Sequence, residues 1–143
     1  MSIDKQLVLQ KCKYVIQDIE RIRMLLDELS YEELASDEIK GTAAERYLER
    51  VVNRSIDINF HIVGETNNAP PDTYTDSFLL LAKIGVLSDE LARNVAPAAG
   101  VRNILVHEYD DLDMQKFYAS LENITKYFPG YIKAVTDFIE RSV

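Results

Sequence analysis

Three side chains near the end of the sequence could do chemistry together: Arg102, His107 and Tyr109 in the segment Val101-Arg102-Asn103-Ile104-Leu105-Val106-His107-Glu108-Tyr109. Arginine is a permanent cation whose planar fork matches phosphate oxygens. Histidine titrates near neutrality and suits general acid–base work. Tyrosine adds a phenol. The apolar run Ile104-Leu105-Val106 between them is expected to pin the segment to a core. A structural role is also open to the first two: an ion pair of Arg102 with Glu108 or Asp110, and His107 as a helix C-terminal cap.

The surrounding chain reads as helices. Val8, Cys12, Val15, Ile19, Ile22, Leu26 and Leu29 recur at spacings of 4, 3, 4, 3, 4 and 3, one apolar stripe on a helix from about Ile3 to Leu29. Cys12 lies on that stripe as a small core residue. Ser30 with Glu33 reads as a capping box opening a short turn of helix. A long helix follows through Leu48, Val52, Ile56, Phe60 and Val63, starting at Asp37 or at Thr42 and ending at Gly64. Asn67-Asn68-Ala69-Pro70-Pro71-Asp72 is the strongest loop signal. Phe78 to Lys83 forms a short apolar helix closed by Gly85, Ser88 caps another, and Pro97 marks a break before a helical stretch reaching His107. Asp110, Asp111 and Asp113 lead into a last helix carrying Phe117, Leu121, Ile124, Phe128, Ile132, Val135 and Ile139, with a kink or interruption expected at Pro129-Gly130. Strand-like alternation and internal repeats are absent from the sequence. The expected architecture is all-α, a single domain over 1–143 folded as an up-and-down bundle of about five main helices.

Composition narrows the classes. The chain has 143 residues, 47% hydrophobic and 28% charged, a balance that supports a folded core. One cysteine excludes an internal disulfide and a cysteine-based zinc cluster. No apolar run reaches the roughly 18 residues of a membrane span, and charge interrupts the N-terminal segment early, so a cytoplasmic protein without membrane association is expected. The net charge of −8 argues against broad non-specific nucleic-acid binding and leaves room for a small basic groove or a basic partner. Arg46, Arg50 and Arg54 recur every four residues. They read as a solvated face pairing with Glu45 and Glu49, with RNA contact as the alternative. His61 reads as a satisfied, half-buried histidine; with His107 it makes a poor metal site, and no metal or cofactor is expected.

Arg102, four intervening residues, His107, Glu108 and Tyr109 resemble the Arg-x4-His-x-Tyr motif of HEPN-domain ribonucleases. The flanks extend the resemblance: Ile56-Asp57-Ile58 with His61-Ile62, Pro70-Pro71-Asp72-Thr73-Tyr74 leading to Phe78 and Leu81, and Gly85-Val86-Leu87. It spans roughly Asp4 to Phe138 and is closest to the HepT branch, toxins encoded beside minimal nucleotidyltransferase (MNT) antitoxins. The resemblance implies a metal-independent endoribonuclease that uses the RNA 2′-hydroxyl as nucleophile. Arg102 and His107 would be catalytic, with Asn103 supporting by orienting a phosphate or the histidine. It further implies that the antitoxin adenylylates Tyr109. On an ideal helix, positions five apart are separated by roughly 140° and about 7.5 Å of rise, so one copy of the pair does not obviously converge on one phosphate. Two copies across a two-fold axis would, and a homodimer is expected. The other reading is a non-catalytic helical binding or dimerisation subunit of a nucleotidyltransferase complex.

Overall fold

The structure is a computed structural model that describes residues 2–107 and 112–142, His107 by its backbone alone. Seven helices appear among the described residues: α1 (Lys5–Glu28), α2 (Tyr31–Ser36), α3 (Glu38–Glu65), α4 (Tyr74–Lys83), α5 (Asp89–Val95), α6 (Ala98–His107) and α7 (Met114–Arg141). The expected all-α bundle is present. Three long helices, α1, α3 and α7, form its body, and α4, α5 and α6 close the side that carries the arginine of interest.

Local chemistry sets most boundaries. The side chains of Asp4, Ser30, Asp37, Thr73, Ser88 and Asp113 each accept from a backbone N–H in the first turn of the helix that follows. Ser30 and Glu33 complete the expected capping box. Asp37, rather than Thr42, opens α3. Gly64 does not end that helix: α3 runs to Glu65, and the left-handed residue beyond it is Asn67 at φ 61°. Asparagine tolerates that region better than most side chains. Gly85, at φ 88°, closes α4 as expected. The helix α4 begins four residues earlier than the apolar run suggested, because Thr73 caps it.

Pro129 lies inside a continuous α7, so of the expected kink or interruption the interruption is absent. Proline removes the N–H that would serve the carbonyl four residues back. Here that carbonyl belongs to Thr125, and Arg23 Nη2 of α1 donates to it at 3.3 Å. Phe128, Tyr131 and Ile132 on either side are buried and hold the helix against its neighbours.

The core runs through all three long helices, with Val15, Ile22, Leu48, Ile58, Phe78, Phe117, Phe128 and Val135 among its buried members. Each such side chain contributes about 1.5–3 kcal/mol of burial. Cys12 is buried there, and burial pushes its thiol up from the ordinary value, consistent with a packing role. One polar chain crosses this core. The Tyr131 hydroxyl lies 2.5 Å from Asn59 Oδ1 and 3.1 Å from the Ser55 carbonyl. Asn59 Nδ2 donates to Ser77 Oγ at 3.0 Å, and Ser77 Oγ donates to the Tyr74 carbonyl at 2.6 Å. These bonds tie α7, α3 and α4 together and fix the first turn of α4. Among the described residues no helix is long and apolar enough to cross a membrane.

Candidate active site

Arg102 sits on α6, which starts directly after Pro97, a residue suited to the first turn because it needs no N–H partner there. Of the apolar run behind Arg102, only Leu105 enters the core; Ile104 is half-buried and Val106 is exposed. Consecutive helical residues diverge by about 100°, so three in a row cannot share one buried face. Leu105 alone anchors the segment.

The guanidinium faces an open cleft of about 480 Å³ lined by Asn53, Ile56, Asp57, Phe60, Tyr74 and Arg102. Arg102 Nε donates to Asn53 Oδ1 at 2.5 Å, and Nη1 donates to Asn103 Oδ1 at 3.1 Å. Its Cζ stands 5.1 Å from the centroid of the Tyr74 ring, within cation–π range. Tyr74 is itself set edge-on against Phe60, with centroids 6.1 Å apart. The arginine is therefore aimed by two amides and an aromatic face. Among the described residues its hydrogen-bond acceptors are neutral, so its charge remains available to an anion.

The Asn103 amide oxygen is turned to Arg102, where a phosphate or His107 was its expected partner. Asn53 and Tyr74 are members of the site that the sequence did not single out as functional. Tyr74 lies in a segment that carried the resemblance, without a role attached to it. Asn53 left one usable signal, an amide beside the apolar stripe of α3 between Val52 and Ile56. His107 ends α6 five positions after Arg102. Its side chain, and the whole of Tyr109, lie outside the described residues.

The regular arginine stripe of α3 resolves differently from its expected pairing. Among the described residues only Arg46 of the three meets a glutamate, Glu49, at 3.1 Å. Burial raises the Glu45 carboxyl, and no arginine pairs with it among the described residues. Arg50 and Arg54 reach across to α1 and hold Asp18, a carboxylate with 0% exposure. The apolar neighbours of Asp18 on α1 gave no hint of this. Arg46, Arg50 and Arg54 do not line the Arg102 cleft. His61 is half-buried, and its Nε2 accepts the Asp4 backbone N–H at 2.9 Å, the satisfied role expected of it.

Known proteins resemble this chain in sequence and in fold. The model of the family described as ribonuclease HepT-like matches residues 15–135. A protein of Aphanizomenon flos-aquae named tRNA nuclease HepT is 31% identical over 127 residues, covering 85% of this chain and 86% of that one. A protein of Shewanella oneidensis named mRNA nuclease HepT is 30% identical over 88 residues, covering 62% of this chain and 66% of its own length. A solved structure, described as a tri-AMPylated Shewanella oneidensis HEPN toxin in complex with MNT antitoxin, superposes with a TM-score of 0.82 at 25% identity and covers 96% of this chain and 99% of that one. The chain belongs to the ribonuclease HepT-like family.

Proposed function

We propose that this protein is the toxin of a toxin–antitoxin pair, an endoribonuclease that cleaves RNA by attack of a 2′-hydroxyl on the adjacent phosphorus. The observation that carries the reading is Arg102 at the cleft, aimed by Asn53 and Asn103 and carried on the same helix as His107. The nuclease names of its relatives support the same reaction class.

In the reaction the 2′-oxygen forms a bond to phosphorus and the bond from phosphorus to the 5′-oxygen breaks. An imidazole of His107 accepts the 2′-hydroxyl proton, and an imidazolium returns a proton to the departing 5′-oxygen. Arg102 offers N–H donors to the non-bridging oxygens, whose negative charge grows in the pentacoordinate state. These roles need no metal ion. The spacing of Arg102 and His107 on α6 favours a site shared by two copies of the chain, each supplying both residues to one groove.

Tyr109, two residues past His107, is the regulatory handle. A partner nucleotidyltransferase of the MNT type would transfer AMP from ATP: the phenolic oxygen bonds to the α-phosphorus and pyrophosphate leaves. The attached phosphate repels the RNA backbone at the cleft. The AMPylated toxin among the structural relatives supports this assignment.

The test is a cleavage assay in EDTA with light scattering on the same samples. Wild type is expected to cut RNA as a dimer, leaving cyclic phosphate ends, and Arg102→Ala and His107→Ala each to lose about 10²–10³-fold in rate. Equal cleavage by all three sinks the mechanism, and full activity in a monomer sinks the shared site. Incubation with active antitoxin and ATP is expected to add AMP to the Tyr109 peptide, and an unchanged peptide mass removes that role.

A further inference from the structure

A second basic cluster lies between α1 and α3, the helix that also carries Asn53 of the cleft. Asp18 of α1 accepts four hydrogen bonds from three guanidinium groups: Arg21 Nη1 at 2.7 Å, Arg50 Nη2 at 2.8 Å and Nε at 3.0 Å, and Arg54 Nη1 at 2.9 Å. Arg21 and Arg50 also flank the Tyr47 ring at 6.0 and 5.9 Å, and Arg54 stands 5.0 Å from the Tyr14 centroid.

A brace between α1 and α3 would need less. The fork of Arg50 alone occupies both oxygens of Asp18, so Arg21 and Arg54 add charge that one carboxylate cannot neutralise. The three arginine side chains keep 44%, 33% and 28% of their surface exposed, against 0% for Asp18. The negative charge is buried while the positive charges reach solvent. Most of the guanidinium N–H donors are not used by Asp18. Neighbouring acids are committed elsewhere: Glu20 to Arg23, Glu49 to Arg46 and Asp57 to Lys11. Among the described residues an excess of two positive charges is thus held together, on a chain of net charge −8.

Position gives the cluster a use. Arg50 and Arg54 flank Asn53 on α3, and Asn53 holds Arg102. One helical turn, about 5 Å, separates Arg50 from the level of the cleft. We infer that Arg21, Arg50 and Arg54, organised by Asp18, bind a phosphodiester of the RNA strand next to the one being cut, with the exposed Tyr14 as a stacking surface for a base. The inference rests on the ribonuclease reading and adds a binding subsite to it. Arg46, paired with Glu49, is outside this subsite.

Arg21 is the residue to change, because Arg50 and Arg54 still hold Asp18 without it. Binding of a 2′-O-methyl RNA oligonucleotide, which cannot be cut, is measured by fluorescence anisotropy across a salt series. Arg21→Gln is expected to weaken binding about three- to fivefold and to lower the slope of log K against log salt by about 0.7, the loss of one phosphate contact on a single strand. Arg21→Glu should go further. With cleavable RNA, KM rises and kcat holds, while the thermal midpoint stays at the wild-type value. Arg93→Gln on α5 serves as the control and changes none of these. Identical affinity and slope for wild type and both Arg21 variants overturns the subsite, even if cleavage still depends on Arg102 and the ribonuclease reading stands. Loss of antitoxin binding with RNA binding intact also overturns it, in favour of a protein-docking surface. If wild type binds RNA through Arg21 but does not cut it, the subsite stands and the ribonuclease reading falls.

Discussion

Arg102 on α6 and the pair Arg50–Arg54 on α3 are held in opposite ways. Arg102 rests on two amide oxygens and an aromatic ring. Arg50 and Arg54 rest on a carboxylate with no exposure to water. An amide orients a guanidinium without cancelling its charge, whereas a carboxylate orients it and cancels one unit. The first arrangement suits a group that must meet charge developing in a reaction. The second locks helix to helix, and only its surplus charge is left for a ligand. The acceptor each arginine site was given therefore suits the one to the proposed chemistry and the other to cohesion.

The sharpest way to break that contrast is to strip the cohesive site. Asp18 is the fully buried member, so leaving it poorly paired costs more than leaving its partners unpaired. The double variant Arg50→Ala/Arg54→Ala keeps only Arg21 on Asp18 and is expected to lose about 3–5 kcal/mol in urea unfolding. Asp18→Ala leaves three partly exposed arginines that water can solvate, and about 2 kcal/mol is expected. The reverse order, with Asp18→Ala the costlier, would mean that the cluster is not organised around a buried charge. Arg102→Ala, by contrast, should leave stability within about 1 kcal/mol of wild type while cleavage collapses.

The same contrast explains what the sequence could disclose. The stripes of α1 and α7 and the caps at Ser30 and Ser88 are local in the chain and follow from periodicity and short-range hydrogen bonding. Arg102 and Asn103 are adjacent, so their association was also within reach. Asn53 and Arg102 are far apart in sequence, as are Asp18 and Arg50, and both contacts arise only when α3 packs against α6 and α1. A four-residue arginine repeat looks the same whether it faces water or a buried acid on another helix. Pro129 teaches a similar point: its interruption of α7 was a sound local expectation, and the remedy came from Arg23 on α1. What a spacing rule misses is the partner supplied by another element.

A smaller change sharpens the comparison at the Arg102 cleft by converting one kind of arginine site into the other. Asn53→Asp keeps the size and reach of the side chain and places a carboxylate where the amide oxygen lies 2.5 Å from Arg102 Nε. The guanidinium stays oriented but loses much of its net charge to the new partner. Stability is expected to hold or to rise by up to about 1 kcal/mol, as for a half-exposed ion pair. Cleavage should fall about tenfold, roughly 1.4 kcal/mol of transition-state stabilisation, mainly in kcat. Asn53→Leu separates aim from charge, because it removes the acceptor without adding a carboxylate. If neutrality is what matters, the aspartate variant is the slower of the two despite preserving the hydrogen bond. If the aspartate variant cleaves at the wild-type rate while the leucine variant does not, Asn53 serves only to aim Arg102, and the acceptor's charge is not what distinguishes this arginine from those on Asp18.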